Sequence, residues 1–198
     1  MSEKSGNHLI MTTILGISGS LREASYNTKL LRAAIRLAPA GTTIEEGSIR
    51  GFPVYDGDEE ARAFPEVVTA LKHRVIAADG VLLVTPEYNN GLPGAFKNAI
   101  DWLSRPSADA AKVFGGRPFG LIGATPGMGG TRYAQAAWLP VLRTLGTLPY
   151  FGGRLELASA GKVFDGSGEI VDAKVKELLG KYVAGFAKFV AEHAAPRG

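Results

Sequence analysis

The sequence predicts an α/β protein: an open, doubly wound sheet of five parallel strands, order 2-1-3-4-5, with helices on both faces. Two observations lead there. Short apolar runs alternate with stretches of helical periodicity, and alternating strand and helix implies right-handed crossovers onto a parallel sheet. One run, Asp79-Gly80-Val81-Leu82-Leu83-Val84-Thr85, is apolar without alternation, as a central parallel strand covered on both faces requires. Size agrees. A chain of 198 residues, 45% hydrophobic and 21% charged, can bury a core without cross-links. One domain over residues 1–198 is expected, with residues 1–11 as a flexible tail.

The elements follow in order. Thr13-Ile14-Leu15-Gly16-Ile17 comes after a polar start and reads as the first strand. From Asn27 to Ala38 the residues Leu30, Leu31, Ala34, Ile35 and Ala38 share one helical face, and Pro39 and Gly41 stop the helix. Thr42 to Ile49 is a weaker second strand. Phe64 to Ala77 is a helix with Val67, Val68, Leu71, Val75 and Ile76 at helical spacing. After the third strand, Pro93 to Leu103 is a helix with proline in its first turn. Pro118 to Thr125 is a fourth strand, Thr131 to Leu145 a helix ended by Gly146, and Thr147 to Phe151 the fifth strand. Gly152 to Ser167 is the least periodic stretch and reads as an excursion from the sheet edge. The last helix, Val171 to His193, carries Val175, Leu178, Leu179, Tyr182, Phe186, Phe189 and Val190 on one stripe. Five strands is the size of a flavodoxin-like sheet rather than a six-stranded dinucleotide fold.

Composition excludes several classes. With no cysteine, disulfide scaffolds, Cys-ligated metals and thiol nucleophiles are out. A net charge of +3 is too small and scattered for a nucleic-acid binder. No apolar run approaches the ~18 residues of a spanning helix, so no membrane partner is expected. Met1 to His8 lacks the apolar core of a secretory signal, and the expected location is the cytoplasm. His8, His73 and His193 lie far apart, at no metal or triad spacing. Glu45 and Glu46 sit where a dinucleotide fold places its ribose acid, but the glycine fingerprint is absent. Trp102 reads as a core residue.

In an open parallel sheet the ligand lies beyond the carboxyl ends of the strands, at the switch point. Three loops qualify. Ser18-Gly19-Ser20-Leu21-Arg22-Glu23-Ala24-Ser25-Tyr26-Asn27 joins the first strand to a helix N-terminus, where unpaired N–H groups and the helix dipole favour a phosphate. Its hydroxyls suit a terminal phosphate monoester; the plain alternative is a turn with Ser25 as N-cap. Thr85-Pro86-Glu87-Tyr88-Asn89-Asn90-Gly91-Leu92-Pro93-Gly94 offers an aromatic, amides and backbone groups to the edge of a flat heterocycle, or else makes a tight turn. Ala124-Thr125-Pro126-Gly127-Met128-Gly129-Gly130 lets backbone approach a ring closely, or else is a mobile loop.

With Ser18-Gly19-Ser20-Leu21-Arg22, Ser25 and Asn27, then Pro86-Glu87-Tyr88-Asn89, then Pro93-Gly94 and Lys97-Asn98-Ala99-Ile100-Asp101-Trp102-Leu103-Ser104, the sequence resembles the NADPH-dependent FMN reductase family. It looks closest to the quinone and chromate reductase branch. The resemblance implies that Ser18, Ser20, Arg22, Ser25 and Asn27 surround the phosphate of FMN, with Leu21 of the same loop among the cofactor-binding residues. It implies that Pro86, Glu87, Tyr88, Asn89 and Asn90 contact the isoalloxazine edge, with Thr125 and Gly127 on the other side. Gly91 stands where many members carry serine, and Thr125-Pro126 where small polar residues are usual.

The expected function is an NAD(P)H oxidoreductase, an enzyme in which NADPH or NADH reduces bound FMN. Two electrons then pass as hydride to a quinone or similar acceptor, with chromate, azo compounds or free flavin as other candidates. The resemblance also implies a homodimer or homotetramer, and the aromatic residues Tyr133, Trp138 and Phe151 are candidates for an exposed interface. The alternative is a flavodoxin-type electron carrier without nicotinamide oxidation, against which the positive charge speaks.

Overall fold

The computed structural model describes residues 11–194. Its elements are β1 (Thr12–Ser18), α1 (Tyr26–Arg36), β2 (Thr42–Gly47), α2 (Gly57–Arg62), α3 (Glu66–Ala77), β3 (Gly80–Val84) and α4 (Gly94–Leu103). Then follow α5 (Ala110–Phe114), β4 (Pro118–Ala124), α6 (Arg132–Thr144), β5 (Leu148–Pro149), β6 (Leu155–Leu157) and α7 (Ala173–His193). The sheet runs β2-β1-β3-β4-β5 with every pairing parallel, which is the expected order. Helices α2 and α5 were not anticipated. With 6 and 5 residues they are too short to show a period. Residues 1–10 of the expected tail, His8 included, lie outside the described residues.

The strands alternate between two cores, the period-2 consequence of the pleat. Ile14, Leu82, Val84, Ile122 and Ala124 pack under α1 and α7. Leu15, Ile17, Val81, Leu83 and Phe119 pack under α3, α4, α5 and α6. Trp102 lies in the second core, as expected, and its indole Nε1 donates to the Pro53 carbonyl at 2.9 Å. On α7 the buried stripe is Leu179, Tyr182, Phe186 and Val190. Leu178, expected on it, is 44% exposed, because it sits about 100° around the helix from Leu179. Val67 and Ile76 are likewise turned to solvent on α3.

The fifth strand position departs from expectation. It is filled by two strands in series: β5 pairs with Pro118 and Phe119, and β6 with Ile122 to Ala124. The stretch after Gly152 is therefore no simple excursion, because Leu155 and Leu157 return to the sheet and are buried. Between the two strands the ladder breaks after the Tyr150 N–H, which still donates to the Phe119 carbonyl at 2.8 Å, and the Tyr150 ring packs against those of Tyr182, Phe186 and Phe189 at 5.3 to 5.6 Å. That break would strand the Leu121 N–H, which donates instead to the Tyr182 hydroxyl at 2.8 Å. Hydrogen bonding to backbone is what a buried tyrosine hydroxyl needs, and burial pushes its pKa up.

Registers bring the chemistry-bearing loops together. Ser18 is level with Val84 and Val84 with Ile122. The loops after β1, β3 and β4 therefore leave the sheet at one edge.

Candidate functional site

The first loop is folded by its own hydroxyls. Ser18 Oγ accepts from Thr28 Oγ1 at 3.0 Å and from the Ser20 N–H at 3.4 Å. Ser25 Oγ caps α1, accepting from the N–H groups of Asn27 and Thr28 at 3.2 and 3.3 Å. The N-cap alternative for Ser25 is thus realised, with its hydroxyl proton still free to donate to a ligand. The first turn of α1 holds no acidic residue, so its positive end is uncompensated and attracts an anion. Gly19 is required here: a Cβ would lie 2.1 Å from the Phe96 ring.

Asn27 does something the sequence did not suggest. It is buried, its Nδ2 donates to the Ala124 carbonyl, and its Oδ1 accepts from the Ala124 N–H, both at 2.9 Å. The side chain therefore ties the start of α1 to the end of β4.

The second loop is a tight turn. Tyr88 and Gly91 exchange backbone hydrogen bonds at 3.2 and 3.0 Å across Asn89 and Asn90. Those two residues have φ of 50° and 57°. Positive φ at both central positions of a two-residue hairpin is the type I′ turn, which asparagine tolerates. Buried Thr85 anchors the loop, accepting from Trp138 Nε1 at 3.0 Å. Trp138, expected at an exposed face, is fully buried for that reason and packs edge-on against Phe96. Glu87 turns away from the turn. Its carboxylate accepts from the N–H groups of Tyr133 and Ala134 at 2.8 and 3.0 Å. It caps α6 from outside, where Thr131 makes no side-chain cap.

The third loop is pinned rather than loose. Thr125 N–H donates to Leu157, Ala160 N–H to Thr125 and Ser159 N–H to Gly127, at 2.8 to 3.0 Å. Gly123 has no room for a Cβ, which would lie 2.2 Å from the Thr85 carbonyl.

Two clefts result, both bordering the first loop. One, of about 200 Å³, is lined by Ser20, Arg22, Ser25, Asn27, Pro86, Glu87, Tyr88 and Thr125 among the expected residues. Tyr26, Ala124 and Pro126 line it too. The other, of about 330 Å³, lies toward β2 and takes Ser18 and Leu21, while Ser20 and Arg22 border both. Asn89, Asn90 and Gly127 line neither. The second cleft also holds Arg32, Ser48 and Arg50, which no local pattern marked. Glu45 and Glu46 are engaged by Arg74 and Arg32, as surface ion pairs rather than ribose ligands.

The first cleft fits FMN on the chemistry of its donors. Hydroxyls, a guanidinium and a helix N-terminus supply the donors that a phosphate monoester requires. Pro86, Tyr88 and Pro126 add flat and apolar surface. A parallel α/β sheet with such a cleft at its switch point defines a flavodoxin-like nucleotide-binding protein. Comparison with known proteins narrows the class. The family model for NADPH-dependent FMN reductase matches residues 12–161; the chain belongs to this family and is an oxidoreductase of the FMN- and NAD(P)H-dependent kind. It is 42% identical over 166 residues to an NAD(P)H-dependent FMN reductase of Pseudomonas aeruginosa, covering 84% of this chain and 88% of that one. It is 36% identical over 174 residues to a 2-hydroxy-1,4-benzoquinone reductase of a Burkholderia species, covering 88% and 93%. Among solved structures, a flavoenzyme NAD(P)H:acceptor oxidoreductase from Paracoccus denitrificans superposes with a TM-score of 0.84 at 33% identity, covering 93% of this chain and all of that one.

Proposed function

We propose that the protein is a quinone reductase. NADPH or NADH donates, and a small flat acceptor such as a quinone receives two electrons at the cleft formed by the loops after β1, β3 and β4. The observation that carries this is that one cleft joins a phosphate-type donor set to an open, apolar rim. Bound FMN supplies the hydride exchange, and the protein binds, orients and polarises. Ser20, Ser25, Arg22 and the N-terminus of α1 take the phosphate. Ser18 holds Ser20 and Thr28 in place, and Leu21 shapes the back of the loop. Asn27 is a positioning residue, since both ends of its amide are used on Ala124. The Pro86 to Asn90 hairpin presents its edge to the ring, with Tyr88 half-exposed and 3.5 Å from Ser20. Glu87 acts through α6, Thr125 borders the other side, and Gly127, outside the cleft, holds the third loop by accepting from the Ser159 N–H.

The quinone-reductase relative supports the acceptor class. Steady-state oxidation of NADPH and NADH by the FMN-loaded protein, with and without a benzoquinone, tests the reading. Quinone-dependent turnover is expected. Oxidation of neither nicotinamide would leave the electron-carrier alternative.

A homodimer or homotetramer in the cytoplasm belongs to the same reading. Among the described residues no helix is long and apolar enough to cross a membrane. Tyr133 and Phe151 are 55% and 73% exposed and border a groove of about 460 Å³ with Leu139. Light scattering should find at least twice the chain mass of 20.8 kDa.

A further inference from the structure

We propose that the cleft on the β2 side of the first loop is a second phosphate site, built for the 2′-phosphate of an NADPH donor, with Arg50 as its cation. This inference rests on the proposed quinone-reductase reading.

Position is the first argument. The cleft shares Ser20 and Arg22 with the cleft assigned to FMN. A dinucleotide with its nicotinamide over the flavin need only cross the wall of the first loop to place its adenosine there.

Charge is the second. The lining holds Arg22, Arg32 and Arg50 against Glu23 and Glu46. Arg32 is committed: its Nε and Nη2 donate to the two oxygens of Glu46 at 3.0 and 3.2 Å. That pair neutralises the carboxylate that would most repel a phosphate. Arg22 and Arg50 form no ion pair among the described residues. Arg22 stands on the wall shared with the FMN phosphate, so Arg50, opposed only by Glu23, is the cation this cleft keeps for a second phosphate.

Preorganisation is the third. Arg50 Nη2 donates to the Leu21 carbonyl at 2.6 Å, and the Arg50 N–H donates to Ser48 Oγ at 3.1 Å. The guanidinium is therefore held at the rim with donors to spare, and the Ser48 hydroxyl can still give its proton. A planar guanidinium fork and a hydroxyl match a phosphate dianion. The 2′-hydroxyl of NADH offers them no charge to bind.

The test titrates the FMN-loaded protein by calorimetry with adenosine 2′,5′-bisphosphate and with AMP, then repeats both on Arg50→Gln and Arg50→Lys. One charge-assisted contact corresponds to about tenfold in affinity. The bisphosphate should bind about tenfold tighter than AMP, lose that advantage in Arg50→Gln, and keep part of it in Arg50→Lys. In turnover, kcat/KM for NADPH should fall by about tenfold in Arg50→Gln while that for NADH stays within about twofold. Equal affinity for the two adenosine ligands in the unaltered protein overturns the proposal. So does an equal loss with both nicotinamides. Discrimination through Arg50 in a protein without quinone-dependent turnover supports the phosphate site and overturns the quinone-reductase reading.

Discussion

Ser20 and Asn27 stand seven positions apart in one loop and carry different loads. Ser20 is only partly buried, and its Oγ accepts two long contacts, from the Arg22 N–H at 3.4 Å and the Tyr88 hydroxyl at 3.5 Å. Ser20→Ala should weaken FMN by about ten- to a hundredfold, the worth of one bond to a charged phosphate, and leave thermal unfolding unchanged. Equilibrium dialysis beside calorimetry checks both halves. Asn27→Ala strands the N–H and the carbonyl of Ala124 in a buried site. At roughly 1–3 kcal/mol for each, chemical denaturation should show a loss of about 2–6 kcal/mol. Tyr182→Phe removes the acceptor of the Leu121 N–H. Burial raises the pKa of Tyr182 above its ordinary value of 10.0. The unfolded chain therefore loses this proton first, and the stabilisation is whole below pH 10 and fades as pH rises beyond it. Denaturation midpoints between pH 9 and 12 should fall less steeply in Tyr182→Phe than in the unaltered protein.

At the scale of elements, Glu87 joins the loop after β3 to the N-terminus of α6. A carboxylate accepting two N–H groups there adds a charge–dipole attraction to a cap, about 1 kcal/mol in all. Glu87→Gln keeps the shape and loses the charge, and Glu87→Ala loses both. Thermal unfolding should rank them unaltered, Gln, Ala in falling order. FMN affinity should follow the same order if the loop is positioned through α6. Unfolding that changes while FMN binding does not would confine Glu87 to the helix. The split fifth strand is a second element-scale device. It places Phe151 on the surface while β6 returns to hold the loop after β4 through Leu157 and Thr125.

For the whole molecule, a ligand that binds only the folded state stabilises it by mass action, about 2.7 kcal/mol at a hundred times its dissociation constant. FMN should raise the melting temperature by several degrees. Riboflavin, which lacks the phosphate, should raise it far less, and FAD less than FMN. Equal shifts with riboflavin and FMN would remove the phosphate assignment of the first loop. The two cores on either face of the sheet make the response global, because the cofactor loops are continuations of β1, β3 and β4, the strands between those cores.

The sequence by itself determined the strand order, the two helical layers and the three loops that meet at one edge. Each rests on a pattern carried within a dozen residues: the unbroken Val81-Leu82-Leu83-Val84 run, the helical faces, the Ser18 to Asn27 stretch. The family resemblance also stands on contiguous motifs. What only the tertiary structure decided concerns groups far apart in the chain. Asn27 and Ala124 are separated by 97 residues and Glu87 and Tyr133 by 46. No spacing rule reaches across such distances, so a side chain chosen for a backbone partner looked like one chosen for a ligand. Trp138 looked available for an interface until Thr85 and Phe96 enclosed it. Arg50 carries no motif of its own. It joined Ser20 and Arg22 at one cleft because parallel pairing sets β2 beside β1 and so brings the segment after β2 against the first loop. Local patterning is a property of the chain, whereas the destination of a hydrogen bond is a property of the fold.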